Sequence, residues 1–128
     1  MGFLRILFST AAFTLLGASA ARAECVSPPL LGHGGKPCNG CRYEGSMSTS
    51  RGQSCDRPWI IDSSDTMVIT ANRVTQRARH GIAGASTNTW AYQPAPGFSG
   101  TDDFTTEVHF KRGGEAGSFT VHWTVTVQ

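Results

Sequence analysis

Phe119-Thr120-Val121-His122-Trp123-Thr124-Val125-Thr126-Val127 alternates apolar and polar side chains without a break. A β-strand turns successive side chains to opposite faces, so Phe119, Val121, Trp123, Val125 and Val127 share one face and Thr120, His122, Thr124 and Thr126 the other. The apolar face needs a cover. Just upstream, Phe104, Val108 and Phe110 share a face, with Thr105, Glu107 and His109 opposite, and residues 111–117, which include Gly113-Gly114, read as the hairpin connection. Further back, residues 88–93 put Trp90 and Tyr92 on one side, residues 81–86 form a short weak strand, and residues 67–76 a longer, less regular one. No stretch carries a long 3.6-residue period. Short strands at this spacing, with no helices between them, predict an all-β fold, an antiparallel sandwich.

The segment that leads into these strands is Tyr92-Gln93-Pro94-Ala95-Pro96-Gly97-Phe98-Ser99-Gly100-Thr101-Asp102-Asp103-Phe104, with Arg79-His80-Gly81 ahead of it. It resembles the Y-x-P-x-x-x-F-x-G-x-D-x-F signature of bacterial immunoglobulin-like and cadherin-like modules (VCBS-type repeats) of cell-surface and secreted proteins. The likeness covers residues 67–128 in a single copy and implies an immunoglobulin-like β-sandwich rather than an activity. The residues agree with a structural role. Pro94 and Pro96 have no N–H for a ladder and end the Tyr92 strand, which lets Phe98 fold back over the core. Gly100 permits a backbone angle that a side chain resists. Asp102 is expected to cap the turn before Phe104 by accepting backbone N–H groups. Calcium binding by Asp102 and Asp103 is the weaker reading, because no second repeat and no Asp-x-Asp cluster accompanies them. The family commonly carries an aromatic two places after Phe104, whereas Thr106 stands here, so that face is expected to pack differently.

Residues 1–23 read as a cleaved signal peptide: Arg5 in a short basic start, an apolar stretch from Ile6 to Leu16, and small residues around Ala21-Arg22-Ala23. The apolar stretch is interrupted by Ser9, Thr10 and Thr14 and is shorter than the ~20 residues of a spanning helix. Cys25 follows Glu24 rather than a small residue at the cleavage point, which argues against a lipid anchor. The expected destination is the periplasm or the medium, with no membrane attachment after cleavage. Losing Arg5 and Arg22 leaves nine basic against nine acidic residues. A neutral chain has no general field to attract nucleic acid. Arg73, Arg77, Arg79 and His80 are a local basic excess, read as solvated strand edges and loops.

All four cysteines, Cys25, Cys38, Cys41 and Cys55, lie in residues 24–58, a stretch rich in Gly, Pro and Ser with few apolar side chains. Burial alone does not offset its ordering entropy. In an oxidising compartment two disulfides, each typically worth ~2–4 kcal/mol, are the expected remedy. Three pairings are open, and sequence does not choose among them. Cys38-Asn39-Gly40-Cys41 either closes on itself around a tight turn or splits between Cys25 and Cys55. A redox pair lacks the following helix, a haem site lacks a histidine after Cys41, and a four-cysteine zinc site is disfavoured in an exported chain. The expected organisation is a disulfide-tied segment, 24–58, packed on a sandwich core, 59–128.

Chemistry is harder to find. His109 and His122 lie on polar faces of neighbouring strands and are the candidate metal pair. One hairpin register sets His122 opposite Glu107 and another opposite His109. Around Ser99 the second glycine of a nucleophile elbow is missing, and Ser86-Thr87-Asn88 has no Ser-x-x-Lys beside it. Carboxylate pairs from Asp62, Asp65, Asp102 and Glu107 have no indicated cleft. The sequence therefore points to a non-enzymatic extracytoplasmic binding or structural module without a cofactor, with a protein or glycan at the cell surface as its expected partner. A periplasmic metal-binding protein and a secreted hydrolase inhibitor are the alternatives.

Overall fold

The computed structural model describes residues 25–28, 30, 37–58, 66–87 and 89–128. The expected signal peptide and its cleavage point, His33, Asp62 and Asp65 lie outside the described residues. Seven strands, β1 (Arg42–Thr49), β2 (Cys55–Pro58), β3 (Val68–Gln76), β4 (Gly81–Ala85), β5 (Thr89–Pro94), β6 (Gly100–Arg112) and β7 (Glu115–Val127), account for the regular structure, with no helix among the described residues. They form a four-stranded sheet, β1-β7-β6-β3, and a three-stranded sheet, β2-β5-β4. This is the all-β immunoglobulin-like sandwich that the alternation and the signature predict.

The β6–β7 hairpin is its spine. Gly113 and Gly114 take φ of +58° and +88°, the two positive angles of a tight turn whose twist matches the flanking strands. That turn pairs Arg112 with Glu115 and fixes every later partner: Phe104 faces Trp123, His109 faces Ser118 and His122 faces Thr105. Neither register expected for His122 forms. The correction follows from the turn's position, which residues 111–117 left open by offering several glycine-containing turns. On the inner face Asp102, Phe104, Thr106, Val108 and Phe110 alternate with outward residues, and Phe119 to Val127 do the same on β7.

Strands β1 and β2 come from the cysteine-rich opening, so part of that segment belongs to the sheets themselves. β1 runs parallel to β7, from Arg42 beside Thr120 to Thr49 beside Val127, the one departure from the expected antiparallel pairing among the described strands. Gly45 lies beside Trp123, and a Cβ there would come within 2.5 Å of the indole Cε3. The ring occupies that space, and β1 approaches β7 because Gly45 leaves it free.

The sheets meet through aromatic rings. Trp90 of β5 packs on Trp123 of β7 with centroids 4.9 Å apart, and Tyr92 stacks toward Phe104 at 6.2 Å. Met47, Cys55, Val108, Phe119, Val121 and Val125 complete the interior. Each such side chain contributes about 1.5–3 kcal/mol when fully buried. Cys25 pairs with Cys55 and Cys38 with Cys41, which resolves the open connectivity. The first ties the segment at Cys25 to β2. The second closes the Asn39-Gly40 turn, where Gly40 donates its N–H to Ser118 O at 2.7 Å and Asn39 Oδ1 accepts the Ser118 N–H at 2.9 Å.

Candidate functional site

Three clusters carry polar chemistry, and the signature lies at the first. Asp102 is 3% exposed. Its carboxylate accepts the N–H of Arg79 at 3.0 Å, the N–H of His80 at 2.9 Å, the hydroxyl of Tyr92 at 2.8 Å and the N–H of Asp103 at 2.9 Å. Only Asp103 is local, and both residues lie within β6, so the turn that Asp102 was expected to cap before Phe104 does not form. The other donors come from the β3–β4 connection and from the opposite sheet, so Asp102 joins distant segments more than it caps a local one. Burial pushes its pKa up, but the four donors together outweigh burial and hold the carboxyl below its ordinary value. Burial, followed by the Asp102 carboxylate, drives Tyr92 well above its ordinary value. Gly81 makes room for the phenol: a Cβ there would meet Tyr92 Oη at 2.8 Å.

Beside this junction the imidazole of His80 lies flat on Phe98, with centroids 4.5 Å apart and planes 10° from parallel. Phe98 packs against the core, as expected, while β5 ends at Pro94 and Ala95 donates its N–H to His80 O at 2.9 Å. Gly100 takes φ of +132°, an angle side chains rarely adopt. Arg77, Arg79 and His80 are exposed around this corner, and Arg73 lies opposite Glu107 in the β3–β6 register.

The second cluster is on the outer face of the larger sheet. His122 Nδ1 lies 2.8 Å from Glu44 Oε2 and its Nε2 3.0 Å from Asp103 Oδ2. Both carboxylates are acceptors, so both ring nitrogens are satisfied only as N–H donors, that is, as imidazolium. Hydrogen bonds to Asp103 and then Glu44 raise the His122 pKa against the opposing effect of burial, and the His122 hydrogen bond lowers that of Glu44. Arg42 Nε also reaches Glu44, at 3.4 Å. One charged row thus spans β1, β7 and β6.

His109 sits elsewhere, against Glu107 of its own strand. The candidate metal pair is therefore not a cross-strand pair. Among the described residues no group of three or more His, Cys, Asp or Glu is placed to hold a metal ion.

The third cluster is interior. Thr106, with no exposed surface, accepts the indole N–H of Trp90 at 3.1 Å and that of Trp123 at 3.3 Å. One hydroxyl in the aromatic position of the signature thereby serves both tryptophans. Sequence flagged Thr106 only as a departure. Two tryptophans on inward faces of strands, each needing an acceptor, were the available clue.

The family model described as bacterial Ig domain matches residues 46–127. The chain belongs to that family. The match reaches back into β1, whereas the resemblance read from the sequence starts at residue 67. A comparison with curated proteins finds no match. Among solved structures, an endo-fucoidan hydrolase from glycoside hydrolase family 107 is similar at 12% identity with a TM-score of 0.34, over 66% of this chain and 13% of that one. This Ig domain thus spans a small fraction of that structure's length, and the likeness bears on neither its activity nor its ligand.

Proposed function

We propose that this Ig domain is an exported, non-enzymatic binding or structural module that contacts a protein or glycan at the cell surface or in the periplasm. The observation that carries the reading is the pairing of all four cysteines within an immunoglobulin-like sandwich. Disulfides persist in oxidising compartments, and the sequence before Glu24 reads as an export signal. The polar clusters support the same reading. Asp102 and Thr106 are held by internal partners, and the histidine row ties strands together, so each has a structural task.

The test is a pulldown with the oxidised domain from periplasm and culture medium, alongside glycan-binding and hydrolase-activity panels. The reading expects a recovered protein or glycan ligand and no turnover. Measurable turnover with no recovered ligand contradicts it.

A further inference from the structure

The sandwich has four edge strands, and they are not equally protected. An open edge presents unpaired N–H and C=O groups that template another strand, and proteins blunt such edges with charge, proline, bulges or a covering segment. β1 carries Arg42 and Glu44 and is bridged by Val26, whose backbone exchanges hydrogen bonds with Ser48 at 2.9 and 2.7 Å. β2 is four residues long, is tied to Cys25 and ends in Pro58. β3 carries Arg73 and is broken by two register shifts. β4, Gly81-Ile82-Ala83-Gly84-Ala85, is one residue longer than β2 and, among the described residues, has no charge, proline, bulge or covering segment: its pairing to β5 is regular and Ile82 is 75% exposed.

Its outward groups follow from the hairpin. Ser86 donates its N–H to Thr89 O at 2.8 Å and accepts from Thr89 N at 3.4 Å, and His80 O accepts from Ala95 N. Those residues point their backbone groups at β5, and alternation gives Ile82 and Gly84 the same direction. Gly81, Ala83 and Ala85 therefore direct their N–H and C=O groups away from β5, and no hydrogen bond from a described residue outside the sheet takes them.

We propose that β4 pairs antiparallel with β4 of a second copy about a two-fold axis at Ala83, making one continuous sheet from two three-stranded ones. In this register Ala83 meets the partner's Ala83, and Gly81 meets the partner's Ala85, so outward groups meet only outward groups. On the outer face Ile82 lies over the partner's Gly84, where no side chain opposes it. Charge selects the same arrangement: Arg79 and His80 fall beside the partner's Thr87 and the partner's Ser86, whereas an in-register parallel pair would set Arg79 beside the partner's Arg79. The contact is isologous and closes on itself, so it consumes the open edges without growing a fibre. This inference is independent of the proposed ligand.

The test is sedimentation of the oxidised chain up to millimolar concentration, together with residue-resolved amide exchange. The expected result is a species of twice the monomer mass in which Gly81, Ala83 and Ala85 amides slow with concentration, while Ile82 and Gly84 are protected throughout. Ala83→Pro removes an N–H with no bond in the monomer, and Ile82→Lys adds an edge charge. Both should melt close to the parent and sediment as monomers. If Ala83→Pro does not fold, Ile82→Lys decides. A chain monomeric at millimolar concentration overturns the inference, as does a dimer that survives in a folded variant. Protection of those amides only when an acidic extended peptide is added to a monomer also overturns it, in favour of a foreign strand.

Discussion

The Tyr92 hydroxyl donates to Asp102 Oδ2 across 2.8 Å, linking β5 of one sheet to β6 of the other. Because the same carboxylate holds the N–H groups of Arg79 and His80, it couples sheet packing to the β3–β4 connection. Tyr92→Phe should cost about 1.5–3 kcal/mol, the range for a hydrogen bond to a charged group. Asp102→Ala should cost more, since it strands four donors. Denaturant unfolding with a double-mutant cycle measures both effects and their coupling.

Asp102 also sets an acid limit. Its folded pKa lies below the ordinary 3.8, so the stability it supplies is present above that value and lost as pH falls through the folded pKa. The parent should lose stability steeply below about pH 4, and Asp102→Asn should flatten that slope while lowering stability at neutral pH. Thermal melts from pH 2 to 7 decide it.

His122 acts in the opposite direction. Its folded pKa is raised, so its contribution is complete below the unfolded value near 6.5 and fades as pH rises through the folded pKa. The melting temperature should decline from slightly acid toward alkaline pH, and His122→Gln should remove that part of the pH dependence. Direct NMR titration of the ring should show a midpoint above that of a model peptide.

Thr106 offers a test of the interior. Thr106→Val keeps the shape but removes the acceptor of two buried indoles. Each stranded donor costs about 1–3 kcal/mol. Thr106→Ser, which keeps the hydroxyl, should lose less. A domain of this size shifts by about 4–8 °C per kcal/mol, so calorimetry resolves the two.

The disulfides differ in span. Cys25–Cys55 closes a sequence separation of 30 and Cys38–Cys41 one of 3. Chain entropy assigns the first about 3–4 kcal/mol and the second about 2. Replacing Cys25 and Cys55 by Ser should therefore lower the melting temperature more than replacing Cys38 and Cys41.

The strands legible in the sequence are those whose alternation is strong. β6 and β7 read directly from Phe104, Val108, Phe110 and the residues 119–127, and β5 from Trp90 and Tyr92. β1 was not legible, because Arg42-Tyr43-Glu44-Gly45-Ser46-Met47-Ser48-Thr49 is polar and interrupted by glycine. It is a strand because Trp123 covers Gly45 and the Cys38–Cys41 turn docks on β7. Those are tertiary causes that override local preference. The His122 row was hidden for the same reason, since Glu44 arrives from β1 and the register depends on where the hairpin turns. Asp102 was legible as a backbone acceptor, but not the distance its donors travel.

Intact mass of the native protein, isolated from the producing cell's periplasm or medium, tests the central claim that this is an exported, disulfide-tied Ig domain. The expected species is a chain that begins at Glu24 and is four hydrogens lighter than its reduced form, with no bound metal. A full-length chain with free thiols recovered from the cytoplasm would contradict it.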